Sequence, residues 1–377
     1  MRKVLFILLV LNIIFTTGCW DMIEINQRIF PYSVGIDLNR EVNSPNKLNI
    51  IFVYPNIGAL GKNPTSDKKE FMLSTHANNI FDAVHRVSTN TQQPIYLKHL
   101  KTLIISEEIA KDNKLVREII DGLNRDYVLN KMINLLATKE TSEEFIETKV
   151  KSIRQEDIEG IAYTLLRNDQ KSIRFTPKTL NTFIKDMDTS STSIIPLGVS
   201  LGGEIDILGG AVFKDYGLVG YISSEENKSI ALINGHIRET EINIDYRGAN
   251  LSLLIMNTKS KKKLIDDKDQ LKIRYSVELE GQINGYIMSN EQLSNSEENI
   301  EDMERAVEEV VEKELKAILK RLQGELNADV IGISEYLYKF HPKIWNEIQE
   351  EWDEVFPDLN IEIDVDMKIR RRGLVTW

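Results

Sequence analysis

The chain has 377 residues, with 47 Lys and Arg against 58 Asp and Glu, for a formal net charge of -11. An acidic excess of that size excludes a protein built as a whole to coat nucleic acid, and 42% hydrophobic with 28% charged residues excludes general disorder. A single cysteine excludes an internal disulfide framework and any multi-thiolate metal centre.

The N-terminus stands apart from the rest. Arg2 and Lys3 precede an apolar run from Val4 to Phe15 that is interrupted only by Asn12. As a helix, twelve residues rise about 18 Å, short of the roughly 30 Å hydrocarbon core of a bilayer. The run therefore has the dimensions of a signal-peptide core, and residues 1–18 read as a signal peptide. It ends in Thr16-Thr17-Gly18-Cys19, which resembles a lipobox. In such a sequence cleavage falls between Gly18 and Cys19, and the Cys19 thiol carries the lipid. Thr16 departs from the usual leucine at that position. Processing leaves 45 basic against 58 acidic residues, a net charge of -13. Trp20 then places an indole where the headgroups lie.

In the N-terminal half, strand-like runs at 29–38, 47–54, 70–75, 101–106 and 132–138 alternate with helical windows near 77–89, 114–124 and 142–150. Thr141 with Glu144 forms a capping-box start for the last window. The polar stretch Asp188 to Ser193 reads as a linker or exposed loop. Residues 198–220 hold seven of the 20 glycines, which places the main boundary there. The expected organisation is an N-terminal α/β domain over 19–197, a Gly-rich crossover and small middle module over 198–228, and a C-terminal α+β domain over 229–377.

The C-terminal part carries the clearest patterns. Strands are predicted over 237–246 and 251–256, separated by Arg247-Gly248-Ala249-Asn250, and again over 271–279 and 361–369, where apolar and polar residues alternate. Such alternation predicts an antiparallel sheet with one covered face. The cover is a long helix with Ile300, Met303, Val307, Val310, Val311, Leu315, Ile318 and Leu322 at three- and four-residue steps, begun by a capping box of Ser294 and Glu297. A second helix starts at Pro342 and presents Trp345, Ile348, Trp352 and Val355. The fold class is thus α+β, with several mixed α/β modules and a C-terminal sheet covered by long helices.

Few residues point to chemistry. Gly198-Val199-Ser200-Leu201-Gly202 matches the hydrolase nucleophile elbow, but the Gly-rich residues after it cannot form the helix that this motif requires. The five histidines show no H-x-x-x-H spacing, so neither a metal set nor a catalytic base is assigned. Glu239/Glu241 and Asp364/Asp366 read as solvated strand faces. The basic run Lys259 to Lys263 reads as a loop. Arg370-Arg371-Arg372 is open between a strand end and a site for anionic lipid headgroups. No cofactor is implied.

Gly18-Cys19-Trp20-Asp21-Met22-Ile23-Glu24-Ile25-Asn26, continuing to Val34-Gly35-Ile36-Asp37, resembles the opening of the Ger(x)C family of spore germination lipoproteins. Further similar segments follow in order: His99-Leu100-Lys101 with Leu103 to Glu108; Arg125-Asp126; Gly210 to Asp215 with Leu218-Val219-Gly220; and Pro342, Trp345 and Trp352 with Arg370 to Gly373. The resemblance implies a non-enzymatic, GerAC-type C subunit of a nutrient germinant receptor. It also implies an acylated Cys19 in the lipid bilayer, on the outer face of the spore inner membrane. The implied partners are the integral-membrane A and B subunits of the same receptor. On the resemblance, Asp21 and Glu24 are either partner contacts sharing one helical face or a solubilising turn after the lipid. Two rival functions remain: a solute-binding lipoprotein that captures a nutrient directly, and a cell-wall hydrolase using Ser200 or a carboxylate pair.

Overall fold

The computed structural model describes residues 28–56, 59, 70–91, 93–151, 166, 173–235, 237, 239–267, 270–287 and 297–371. Its first unit is an eight-stranded mixed sheet of order β3-β2-β1-β4-β5-β6-β7-β8. The strands are β1 (Ser33–Leu38), β2 (Leu48–Pro55), β3 (Glu70–Ala77), β4 (Thr102–Ser106), β5 (Asn134–Thr138), β6 (Thr192–Leu201), β7 (Glu204–Lys214) and β8 (Gly217–Ile222). β1, β4, β5 and β6 run parallel at the centre, and antiparallel strands flank them on both sides. Central parallel strands are covered on both faces, so β4 and β5 are nearly continuous apolar runs. Leu103, Ile105, Leu135 and Ala137 enter one core cluster, while Ile104 and Leu136 enter another.

Helices α1 (Ile80–Thr91), α2 (Glu107–Ala110), α3 (Asn113–Arg125), α4 (Ser142–Lys151) and α5 (Leu180–Ser190) make the crossovers. Thr141 and Glu144 form the predicted reciprocal cap of α4: the Glu144 N–H donates to Thr141 Oγ1 at 3.1 Å, and the Thr141 N–H to Glu144 Oε2 at 3.1 Å. Asp37, at the end of β1, accepts from the Ser142 and Glu143 N–H groups at 2.7 and 3.1 Å. Burial raises the Asp37 carboxyl above its usual range against these lowering bonds.

Two expectations for the middle of the chain are corrected. The polar stretch at 188–193 is not an exposed linker: α5 ends at Ser190, and Thr192 and Ser193 are buried at the start of β6. Their hydroxyls are satisfied there, Thr192 Oγ1 by the Asp329 carbonyl at 2.9 Å and Ser193 Oγ by Asp186 at 2.7 Å. Nor do residues 198–228 form a separate module. Up to Ile222 they continue β6, β7 and β8 of the large sheet, and Gly202 and Gly203, at φ 60° and 87°, make the two-residue β6–β7 turn that needs left-handed residues.

After α6 (Ser224–Ile233) comes a four-stranded sheet of order β12-β11-β10-β9, from β9 (Thr240–Tyr246), β10 (Ala249–Asp267), β11 (Gln270–Ile287) and β12 (Asn360–Arg371). β9 to β11 are antiparallel as predicted, with a two-residue turn at Arg247 and Gly248. β12 instead runs parallel to β11. The helical connection between them is long enough for a crossover, which parallel neighbours require. That connection holds α7 (Glu297–Gly324), α8 (Ile333–Phe340), α9 (Pro342–Ile348) and α10 (Trp352–Asp358). The predicted stripe of α7 is buried from Ile300 to Leu322, with Val310 half-buried, and from Met303 onward it shares one core cluster with the sheet. Glu308 and Glu304 of α7 accept from the Met367 and Ile369 N–H groups at 2.8 and 2.7 Å, so side chains complete the outer edge of β12.

Ile194, Val212 and Ile222 of the large sheet share a core cluster with β9–β12 and α7. The two sheets are therefore joined by apolar packing as well as by chain. Trp352 is 8% exposed in this core, whereas Trp345 is half-buried and meets it edge-on at 5.3 Å. Trp352→Ala is expected to cost about 3–5 kcal/mol, and Trp345→Ala clearly less. Urea unfolding of the two variants checks the order.

Glu226 caps α6 reciprocally with Ser223 and forms a bidentate pair with Arg321 of α7 at 2.5 and 2.6 Å. Burial raises its pKa, but the Ser223 and Arg321 bonds outweigh this and hold the carboxyl below its usual range. A depressed carboxyl stabilises the fold above its unfolded value, and that gain is lost as pH falls through the folded value. Glu226→Gln should therefore cost about 1–2 kcal/mol at neutral pH. The gap to the parent chain should close on acidification below about pH 4.5, measured by denaturant titration at several pH values.

Candidate functional site: the chain entry and the joint between the sheets

Gly18, Cys19, Asp21 and Glu24 lie outside the described residues, as do Ser294 and Arg372. Arg28 is the first described residue, and its guanidinium lies over the Tyr96 ring at 4.3 Å. The Ile29 N–H donates to the Pro94 carbonyl at 3.0 Å, and the Tyr96 N–H donates to the Ile29 carbonyl at 2.9 Å. β1 then starts in register with β4 and β5, with Ser33 opposite Thr102 and Thr102 opposite Asn134. The entry point is thus fixed at the end of the sheet where the central parallel strands begin.

The enzyme-like motif lacks its chemistry. Ser200 sits on β6 just before a hairpin, not at a strand-to-helix turn, and its Oγ donates to Glu140 Oε1 at 2.5 Å. The described histidines that bond or stack do so elsewhere: His76 with Glu41, His99 against the Phe30 ring and His341 with the Tyr336 hydroxyl. His236 lies outside the described residues. Among the described residues no group of three His, Cys, Asp or Glu is placed to hold a metal ion. Glu241 bonds Ser252, Asp364 pairs with Arg274 and Asp366 with Lys368, on the outer face of the small sheet. Arg370 pairs with Glu280 at 2.6 Å.

The basic run at 259–263 is not a loop. It lies within β10, where the two-residue period sends Lys261 outward to Glu278 and turns Lys262 inward. The Lys262 ammonium donates to the Ile331 and Gly332 carbonyls at 2.5 and 3.1 Å. Burial lowers its pKa, opposed by Asp329 and Glu335.

Lys262 belongs to the principal polar centre of the described structure, the segment between α7 and α8. The buried Asp329 carboxylate accepts from the Ile333 and Ser334 N–H groups at 3.0 and 2.6 Å, tying down the start of α8. Its carbonyl accepts from Thr192 of β6, and the Ile331 carbonyl accepts from the Tyr275 hydroxyl of β11 at 3.2 Å. Burial pushes the Asp329 carboxyl up, against its N–H bonds and Lys262. Lys178 and Asp186 pair at 2.5 Å beside it, and Lys185 reaches Glu335 at 3.0 Å. Lys178, Asp186, Lys262, Asp329 and Glu335 line a cavity of about 280 Å³. Its charged side chains are all engaged with protein partners, so the arrangement acts as a joint that fixes strands of both sheets to one segment. Sequence reasoning did not single out Asp329 or Lys262. The available signal was an acid shortly before an apolar helix start, which is a capping pattern.

Comparison with known proteins accounts for nearly the whole chain. Residues 208–373 match the family model described as "Spore germination B3/ GerAC like, C-terminal", and residues 21–199 match "Spore germination protein N-terminal domain". Among Bacillus subtilis (strain 168) proteins, the chain is 23% identical to spore germination protein B3 over 95% of each chain. It is 24% identical to spore germination protein KC, over 99% of this chain and 96% of that one. The fold is also that of a solved structure titled "Crystal Structure of the GerBC protein", with a TM-score of 0.61 and 18% identity, over 91% of this chain and 99% of that one. With both of its halves matched in order and relatives aligned end to end, the chain belongs to the GerAC-type family of spore germination proteins.

Proposed function

We propose that this chain is the non-catalytic, lipid-anchored C subunit of a spore nutrient germinant receptor. In this reading it holds the receptor together, or couples its membrane subunits, on the outer face of the spore inner membrane. The end-to-end family match carries the reading. Three further observations support it. No described helix is long and apolar enough to cross a membrane, which leaves Cys19 as the proposed attachment point. The serine and carboxylate candidates are tied to structural partners. The joint at Asp329 makes the two sheets suited to transmit force or position as one piece. Its partners are proposed to be the A and B membrane subunits of the same receptor, with Asp21 and Glu24 as contacts next to the anchor.

Spores lacking this chain should lose the response to at least one nutrient while still germinating with a receptor-independent trigger. Re-expression of the chain should restore the response. Deletion spores that answer every nutrient as the parent does, in a strain with the other germination proteins of this family removed, would refute the reading.

A further inference from the structure

We infer that the end of the large sheet where β1, β4 and β5 begin is the surface that lies against the lipid headgroups. This rests on the proposed lipid at Cys19 and adds which face of the protein meets the bilayer. From Cys19 to Arg28 the chain advances nine residues, which span at most about 30 Å when fully extended. Whatever face surrounds Arg28 is thereby kept close to the membrane.

That face has an unusual feature. The loop between α3 and β5 exposes Tyr127 at 96%, Val128 at 47% and Met132 at 62%. The loop is firmly built. Asp126 Oδ1 accepts from the Val128 and Leu129 N–H groups at 2.6 and 3.0 Å, and the Lys131 ammonium caps the Leu123 and Asp126 carbonyls at 2.5 and 2.7 Å. Asn130 Oδ1 accepts from the Met132 N–H at 2.9 Å, and Leu129 plugs the core beneath. Such a scaffold holds apolar side chains in water at a cost unless something covers them. Register places the loop beside the chain entry: Asn134 is opposite Thr102, and Thr102 opposite Ser33. Phe71, also exposed, pairs with Tyr54 one step beyond the Val53–Ser33 rung at the same end.

Charge distinguishes the two ends. Arg28, Lys98, Lys101 and Arg125 lie at the entry end among the acids Glu70, Asp121, Asp126, Asp188 and Asp215, so the two signs nearly balance there. The opposite end, where the parallel strands finish, carries an acidic group that includes Glu41, Glu143, Glu144 and Glu147 around a cleft. An anionic membrane repels the second end more strongly than the first. Tyr and neighbouring apolar residues suit the interfacial zone, where a ring is buried and its hydroxyl stays wet.

The test uses the acylated full-length chain in vesicles of equal parts phosphatidylethanolamine and phosphatidylglycerol. Tyr127→Cys and Leu201→Cys are each labelled with an environment-sensitive fluorophore after acylation has consumed Cys19. Leu201 is an exposed apolar residue at the opposite end of β6. The probe at 127 should brighten several-fold and be quenched by nitroxide lipids, while the probe at 201 should change by less than a quarter. Flotation with the vesicles is read in the same samples. Protein that floats while the probe at 127 stays as wet as that at 201 overturns the inference and leaves the anchor intact. Protein that does not float overturns the anchor and the inference with it. A probe at 127 that becomes dry only when the integral-membrane subunits are reconstituted also overturns it, in favour of a protein contact.

Discussion

Asp329→Ala is expected to lower the unfolding free energy by about 3–5 kcal/mol. The carboxylate is fully enclosed and takes two backbone N–H groups at the start of α8. Its removal strands both donors among buried residues, at about 1–3 kcal/mol each. It also removes the nearby negative charge that offsets burial of Lys262. Loosening of this segment should reach both sheets, because Thr192 of the large sheet and Tyr275 of the small one bond to its carbonyls. Trp345, Trp352 and Trp377 lie in the C-terminal half and Trp20 near the N-terminus, so in a Trp20→Phe background fluorescence reports the C-terminal half, while far-ultraviolet circular dichroism reports the whole. In the parent chain the two unfolding curves should coincide, and in the variant they should separate. Coincident curves with a loss below about 1 kcal/mol would show that the joint is unimportant.

The elements that were legible in the sequence are those whose burial pattern is local. The alternation of Ile361, Ile363, Val365, Met367 and Ile369 found β12, and the three- and four-residue steps of Ile300 to Leu322 found α7. Thr141 and Glu144 announced α4 because both partners of the cap lie within one turn. What was not legible depends on partners far along the chain. Alternation tells which face of a strand is buried but not its direction, so β12 was expected antiparallel and is parallel. Thr192 and Ser193 looked solvent-facing because they are polar, yet the groups that satisfy them are Asp329, 137 residues away, and Asp186. Lys262 was hidden in the same way among basic neighbours that do face water. The candidate site divides along this line. The lipobox-like sequence is read directly from adjacent residues, whereas the joint exists only once both sheets have formed.

Cys19→Ala is expected to move nearly all of the protein from the membrane fraction to the soluble fraction and to reduce nutrient germination to the level of the deletion. The argument is one of magnitudes. Each buried acyl methylene contributes about 0.8 kcal/mol, so two chains hold a protein firmly, where one chain gives only marginal binding. No described helix is long and apolar enough to cross a membrane. After loss of residues 1–18 the net charge is -13, which an anionic bilayer repels. The entry-end residues Tyr127, Val128 and Met132 add a contact too small to retain the protein alone, but enough to orient it once it is tethered. In the proposed processing the exchange also removes the residue before which the signal sequence is cut, so the variant should be combined with an unrelated cleavable signal peptide that releases the chain at Trp20. That version lacks the tether but is still processed, and its germination defect then reads the lipid and not the processing. Full germination by the released form would mean that contacts with the membrane subunits alone hold the chain in place, and would transfer the anchoring role from Cys19 to the protein surface.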